Sequence, residues 1–265
     1  VAGQSINATL APQNIKDGKD TRQLHGFYEK GPDAQLGYTF PTLLTEYVMK
    51  NTHVPVGPWR GVNTNQNGLF MECFMDECAK AAGKDPLQFR QVLMQSHPKH
   101  LGVLNAAAKK ANWDKPLPPG NFRGVAQFMG YASYSACVAE VTVQNNVVKV
   151  NRLVFALNCG HVVNPYLTRE QIEGSVAMAL GAIFLPEISV EKGRIKEQNL
   201  DTYPLLKLSS TPRIETVLVP TYDFWGGVGE PTICVVGPAV ANAVSAAIGR
   251  PVRNFPLSKE GLTLA

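Results

Sequence analysis

The chain has little charge for its length, no long apolar run and no initiator methionine. Charged residues make up 17% of its 265 positions and hydrophobic ones 45%, a globular composition on the charge-poor side. A surface so poor in charge points to burial against another chain, and hence to a subunit rather than a free monomer. No stretch reaches 18 consecutive apolar residues, so no transmembrane helix is expected. The net charge of +4 is spread along the chain without a run of Lys and Arg, and no nucleic-acid or membrane-surface site is expected. The start, Val1-Ala2-Gly3-Gln4-Ser5, has neither a basic n-region nor an apolar h-region. It reads as the start of a processed product or of a piece of a longer polypeptide.

Paired cysteine motifs are also lacking. The five cysteines are Cys73, Cys78, Cys137, Cys159 and Cys234, with no CxxC among them. An odd count prevents complete internal pairing, and the spacing forms no zinc or iron–sulfur ligand set. Buried or idle thiols are the expectation.

What is present has an α+β pattern. Residues 1–58 are rich in Gly, Pro, Asn and Gln and read as irregular, with a strand at Thr42–Val48. A helix is expected over Asn67–Ala82, with Leu69, Phe70, Cys73, Phe74, Glu77 and Cys78 near helical spacing and Gly83 as its C-cap. Asp85-Pro86 signals a second helix start, running to about Gln95. A third helix is read over Leu101–Ala111, then a loop at Pro116–Gly120. Strands follow at 136–143 and 147–157, joined by a tight hairpin at Asn145-Asn146. A helix over Thr168–Ile183, strands near 187–190 and 213–219, and a helix over Ala239–Ile248 complete the pattern. Mixed or antiparallel sheets with packed helices are expected. The organisation divides into 1–120, irregular and helical, and 121–265, α+β.

Three places carry candidate chemistry. Gly226-Gly227-Val228-Gly229-Glu230-Pro231 sets one carboxylate behind three glycines in four positions. Glycine permits φ > 0 and close approach by a bulky ligand. The apolar run after Glu230 predicts partial burial, which raises a carboxyl pKa toward that of a general base. A turn acid on the surface is the plain alternative. Arg60 lies in Val54-Pro55-Val56-Gly57-Pro58-Trp59-Arg60-Gly61, a loop stiffened by two prolines. Its fork suits an anion or developing oxyanion, and equally a helix end or an acid partner. Thr168-x-x-Gln171 fits a capping box with Thr168 as N-cap. The alternative is a helix N-terminus and the Gln171 amide facing a polar or phosphorylated ligand. His161 reads as a turn residue and Cys159 as a small buried one.

Taken in order, Pro58-Trp59-Arg60-Gly61, Asn158-Cys159-Gly160 with Asn164-Pro165, Gln171-Ile172-Glu173-Gly174, Gly226 to Pro231, and Pro238-Ala239-x-Ala241-Asn242-Ala243 resemble a known family. It is the xanthine dehydrogenase/aldehyde oxidase family, in the C-terminal part of its molybdopterin-binding large subunit. The isoquinoline 1-oxidoreductase β-subunit group, with bacterial aldehyde dehydrogenases, looks closest. The spacing from Glu72 to Arg90 also fits, and the resemblance covers nearly the whole chain.

The resemblance implies a molybdopterin-type molybdenum cofactor, its cytosine dinucleotide form among the options. It implies oxidation of an aldehyde or an N-heterocycle with oxygen from water. Glu230 matches the family's general base, Arg60 a substrate-side arginine with Trp59 beside it, and Gln171 a cofactor-binding glutamine. Gly160, Gly227, Val228 and Gly229 match backbone beside the cofactor, and no protein residue is expected to ligate the metal. The family's Gly-Gln-Gly loop and cysteine-rich iron–sulfur sequence are absent from this chain. Expected partners are therefore the other half of the molybdopterin-binding subunit, an iron–sulfur small subunit, and a cytochrome or flavin subunit. A bacterial source is implied, periplasmic or cytoplasmic. The polar Asn63-Thr64-Asn65-Gln66 after Arg60 argues against purine specificity. Trp59, Phe224 and Trp225 are candidates for an aromatic substrate wall. A metal-free assembly subunit of the same fold is the alternative. A free-standing hydrolase with Glu230 as base is the weakest reading, because it leaves the other motifs without a role.

Overall fold

The computed structural model describes residues 15–16, 19–20, 24–27, 36–47, 57–185 and 187–265. Its frame is a mixed sheet backed by helices, the α+β class expected. Strands β1 (Asn121–Gly130), β2 (Ser133–Gln144) and β3 (Val147–Asn158) form an antiparallel meander. Asn145 and Asn146, both at φ > 0, turn the second hairpin as anticipated. Strand β4 (Arg213–Leu218) then adds to β3 in parallel, and the short β5 (Thr263–Leu264) pairs with the start of β3. Two-residue ribbons join Ile15–Lys16 to Lys19–Asp20 and Val190–Glu191 to Arg194–Ile195.

Strand β1 carries no sequence signal that predicts it. Residues 124–130 are all buried, so apolar and polar positions do not alternate, and glycines at 124 and 130 weaken the strand pattern further. Gly124 is needed for packing. A Cβ there would lie 2.3 Å from the Ala239 carbonyl oxygen and from the Ala243 nitrogen, so a helix backbone rests directly on the strand.

Helices α1 (Asn63–Ala81), α2 (Pro86–Leu93) and α3 (Pro98–Lys110) precede the sheet. Asp85 caps α2 as expected, accepting from the Leu87 and Gln88 amides at 2.9 Å. The inward face of α1 differs from the one read in the sequence. Asn67, Gly68, Met71, Glu72, Met75 and Ala79 are buried, while Phe70 and Phe74 are 64% and 62% exposed. A charged residue, Glu72, belongs to the core side, and this defeats a reading by hydrophobicity alone. The strand expected at Thr42–Val48 is absent over 42–47, and Val48 lies outside the described residues.

Helix α4 (Pro165–Phe184) begins one turn before the expected start. Helix α5 (Ile233–Ile248) begins six residues before its expected start, with Pro238 inside it. A proline is a poor guide to a boundary here. The helix is buried over 233–244, and packing outweighs the one hydrogen bond that Pro238 removes. Gly249 at φ 76 ends it.

One core cluster runs from Leu36 to Leu262 and draws on α1, α3, α4, α5 and the sheet. Within it lies a charged network. The Arg90 side chain donates to Glu72 Oε2 at 2.8 Å, to Asp76 Oδ1 at 2.7 Å and to the Glu72 carbonyl at 2.7 Å. Tyr38 donates to Glu72 Oε1 at 2.6 Å and the Gln127 amide to Oε2 at 3.1 Å. Asn242 of α5 donates to the Glu72 carbonyl, tying α5 to α1. Burial opposes the charge on Arg90, but Glu72 and Asp76 outweigh it and raise the Arg90 pKa further. The Glu72-to-Arg90 spacing therefore has a structural meaning: it locks α1, α2, β1 and α5 together.

Candidate active site

Three peptide segments converge on Glu230, each held by local chain geometry. The first is the turn entering α1. Val62 N–H donates to the Trp59 carbonyl at 2.7 Å, and Asn65 Nδ2 donates to the Arg60 carbonyl at 2.6 Å. Gly61 sits at φ 87 and Val62 at φ 47, a strained value for a β-branched residue. A Cβ on Gly61 would clash with Asn65 and Ile233 Cγ2 within 2.6 Å. This contorted turn aims the Gly61 N–H at Glu230 Oε1, 2.9 Å away. Residues 54–56 of the proline-stiffened loop lie outside the described residues.

The second segment is the tip of the β1–β2 hairpin. Tyr131 and Ala132 are both left-handed, at φ 54 and 56, where glycine or asparagine is usual. The Tyr131 carbonyl accepts the Gly227 N–H at 2.8 Å, and Ser133 Oγ donates to the Gly227 carbonyl at 2.6 Å. The third is the 226–231 loop itself. Gly226 N–H donates to the Cys159 carbonyl at 2.9 Å, and Gly160 pairs with Trp225 in an isolated bridge.

The first of the three glycines serves a different purpose from the one read in the sequence. None of Gly226, Gly227 and Gly229 is at φ > 0. A Cβ on Gly226 would lie 2.2 Å from Ser133 Oγ and 2.5 Å from the Ala132 carbonyl oxygen. The first glycine thus admits the chain's own hairpin rather than a ligand. Gly229 is open, since a Cβ there would meet only Gln171 Oε1, at 3.9 Å. Gly160 is at φ 73, and its N–H is taken by Asn158 Oδ1 at 2.9 Å. Val228 is half-buried against the core. The N–H groups of Val228 and Gly229 donate to no atom of the described residues.

Arg60 crosses the site. Its Nε donates to the Gly229 carbonyl at 2.7 Å, and its Nη2 to the Gln171 carbonyl at 2.8 Å and to Gln171 Oε1 at 3.2 Å. Burial lowers its pKa, and the charge of Glu230 works the other way. The guanidinium is a clamp between α4 and the glutamate loop. Gln171 is correspondingly not the N3 member of a capping box. The N-cap of α4 is Asn164, whose Oδ1 accepts from the Tyr166 and Leu167 amides at 2.9 and 3.1 Å, and Thr168 Oγ1 bonds back to the Asn164 carbonyl. Asn164 also occupies amides that would otherwise face a ligand at that helix start. Gln171 is exposed, and its Oε1 is the amide atom that Arg60 holds.

Glu230 is half-buried at the entrance to α5, and its carbonyl accepts from Ile233 N–H at 3.2 Å. The Tyr131 hydroxyl is buried, with no partner in good hydrogen-bond geometry among the described residues, yet near enough to the Glu230 carboxylate for the two to interact. Burial first, then the Glu230 charge, push Tyr131 well above its ordinary value. Tyr131 and Gly61 are site residues that the sequence does not announce, because neither the hairpin tip nor the strained turn carries an Asn-Gly-type signal. Trp59 is 44% exposed at the edge. Trp225 is exposed on one face and stacked on His161 on the other, 4.2 Å between centroids. Phe224 packs on the core beneath Lys99. Cys159 is buried, and all five thiols are free.

With this geometry in place, comparison with known proteins is decisive. Residues 74–212 match the molybdopterin cofactor-binding domain. The chain belongs to that family, within the molybdopterin-binding enzymes related to xanthine dehydrogenase. It is 31% identical over 75% of its length to a membrane-bound aldehyde dehydrogenase (pyrroloquinoline-quinone) of Gluconacetobacter polyoxogenes, covering 28% of that protein. It is 27% identical over 97% of its length to the isoquinoline 1-oxidoreductase subunit beta of Brevundimonas diminuta, covering 33% of it. The chain thus spans a third or less of these relatives. In fold it resembles quinoline 2-oxidoreductase from Pseudomonas putida 86, with a TM-score of 0.68 at 13% identity, over 77% of this chain and 52% of that one.

Proposed function

We propose that this chain supplies the glutamate side of a molybdenum hydroxylase that oxidises an aldehyde or hydroxylates an N-heterocycle with oxygen from water. The observation that carries the reading is the Glu230 carboxylate. One oxygen is anchored on the Gly61 N–H, and the adjoining Gly229 is itself unobstructed, a Cβ there meeting only Gln171 Oε1 at 3.9 Å. Aldehyde and isoquinoline stand in the names of two relatives, and this supports the substrate class.

The residues present fit a molybdopterin-type cofactor. The Val228 and Gly229 N–H groups and the Gln171 amide are donors suited to its polar groups, and Gly229 has no side chain to obstruct it. When bound, that group supplies the two-electron redox chemistry, as resident cofactors generally do. Glu230 takes up the proton released as water oxygen joins the substrate. Gly61 fixes the orientation of the carboxylate. Arg60 holds Gly229 and Gln171 in one frame, and a single guanidinium thereby keeps base and cofactor donors in register. Trp59 contributes an apolar edge toward substrate. The rest of the molybdopterin-binding subunit and an iron–sulfur subunit that carries electrons away would complete the enzyme, with a cytochrome or flavin subunit beyond it.

The test uses the assembled enzyme. Glu230→Gln should lower turnover about 10²- to 10⁴-fold, the range for a lost general base, with molybdenum and pterin content unchanged. Normal turnover in that variant overturns the base assignment. An intact assembly without molybdenum, or with a quinone in its place, overturns the reading as a whole.

A further inference from the structure

Among the described residues Glu230 has one close anchor, the Gly61 N–H at Oε1, and its other surroundings are unusual. Two left-handed residues, Tyr131 and Ala132, form the tip of the β1–β2 hairpin. Left-handed non-glycine residues are disfavoured and persist where the surrounding structure over-determines them. Here Gly227 N–H, Ser133 Oγ and the missing Gly226 Cβ all fix the tip against the 226–231 loop. The result places a phenol within interaction range of the Glu230 carboxylate, its hydroxyl buried and with no partner in good hydrogen-bond geometry among the described residues. A buried hydroxyl left in that state costs free energy. A hairpin needing only a tight turn would be better served by Asn-Gly.

Resting on the assignment of Glu230 as base, we propose that Tyr131 is its positioning residue. The phenol would donate to the carboxylate, favour its ionised form and hold it oriented during proton uptake.

The charges around Glu230 are consistent with that role. Arg60, from the turn before α1, is the cation that faces it. Tyr131 faces it from the hairpin, and burial together with Glu230 keeps the phenol protonated and therefore a donor. Cys234, in the first turn of α5, faces Tyr131. Burial pushes its thiol up to about 12, so it stays neutral. Tyr131 is the neutral donor of the set, able to steady the carboxylate without adding charge. The sign follows. A hydrogen bond to the ionised form depresses a carboxyl pKa, and its loss raises it.

The experiment compares wild type, Tyr131→Phe, Glu230→Gln and the double variant in the assembled enzyme. In Tyr131→Phe the acid limb of the kcat/KM profile should move to higher pH by about one unit, as expected for one hydrogen bond to an ionised group. The Glu230 carboxylate band, identified by infrared difference against Glu230→Gln, should titrate with the same upward shift. This readout is independent of turnover. Thermal stability should fall only in step with that shift, because a folded-state pKa change and stability are linked. Adding Tyr131→Phe to Glu230→Gln should have no further effect on rate, which is the coupling expected of one unit. An unshifted acid limb and carboxylate band, or a stability loss without either shift, overturns the role of Tyr131. If Glu230→Gln itself keeps full turnover, the base assignment fails instead, and the infrared titration still reports whether the two groups are coupled.

Discussion

Two of the chain's carboxylates meet an arginine in contrasting settings. Glu72 and Arg90 are both 0% exposed, and both Glu72 oxygens accept hydrogen bonds from Tyr38, Arg90 and Gln127. Glu230 and Arg60 lie at the surface of the same fold. There the arginine grips the Gly229 and Gln171 carbonyls, and among the described residues the carboxylate accepts one close hydrogen bond, from Gly61 N–H at Oε1. A saturated pair has no capacity left for chemistry and instead fixes four elements. An undersaturated carboxylate near open space can bind and release a proton. The difference lies in how many lone pairs are already committed, not in residue type.

The largest effect should come from breaking the saturated pair. Arg90→Met leaves Glu72 buried without its cation, which typically costs about 3–5 kcal/mol, read by chemical or thermal denaturation of the assembled enzyme. Replacing Glu72 by Met as well should recover only part, because the Tyr38 hydroxyl and Gln127 N–H then lose their acceptor. In either variant, turnover per folded molecule should stay near wild type. A large change in the pH profile of folded Arg90→Met would erase the distinction between the two pairs.

The two pairs were also unequally legible. Arg60, Gln171 and Glu230 stood out in the sequence because unusual local strings surround them, and the structure does bring these three together. What the strings meant was less visible. The Gly226 string implied φ > 0 and ligand contact, whereas its first glycine yields to Ala132 and Ser133, nearly a hundred residues away at the tip of a hairpin whose first strand the sequence did not reveal. The Thr168–Gln171 spacing satisfied a capping box, but Asn164-Pro165 supplied a stronger start one turn earlier. Glu72 was legible only as a spacing, since a charge facing inward contradicts the pattern by which helix faces are read. Local signals found the polar residues. Their partners were set by tertiary contacts that no local window contains.

A smaller effect is expected from weakening the open pair without removing its charge. Arg60→Lys keeps a cation, but an ammonium cannot span the Gly229 and Gln171 carbonyls as the planar fork does. Stability should change by less than in Arg90→Met. Turnover should fall roughly ten- to a hundredfold, the scale of a small misplacement of a reacting group. If the rate is untouched and only KM rises, Arg60 acts on substrate directly rather than through the loop. Steady-state kinetics of the assembled enzyme separates the two.

The smallest effect tests whether saturation alone is enough to make a carboxylate structural. Glu260 is as fully committed as Glu72. It accepts from Arg250 Nη1 at 2.6 Å, from Asn254 Nδ2 at 2.8 Å and from the Asn254 and Arg253 amides at 3.0 and 3.3 Å. The Arg250 bond first, then Asn254, hold its pKa down to about 2 from the ordinary 4.5. A depressed folded pKa means that its stabilisation is present above pH 4.5 and is lost as pH falls toward 2. Yet Arg250 is 54% exposed, and solvent screens the pair. Glu260→Gln should therefore cost only about 0.2–1 kcal/mol at neutral pH, as exposed pairs do, with the difference from wild type vanishing in acid unfolding near pH 2. A loss as large as that of Arg90→Met would show that saturation, not burial, sets the stabilising power of these carboxylates. A small loss leaves the burial of the arginine, Arg90 being 0% exposed against 54% for Arg250, as the property that separates Glu72 from Glu260, and uncommitted lone pairs as the one that separates both from Glu230.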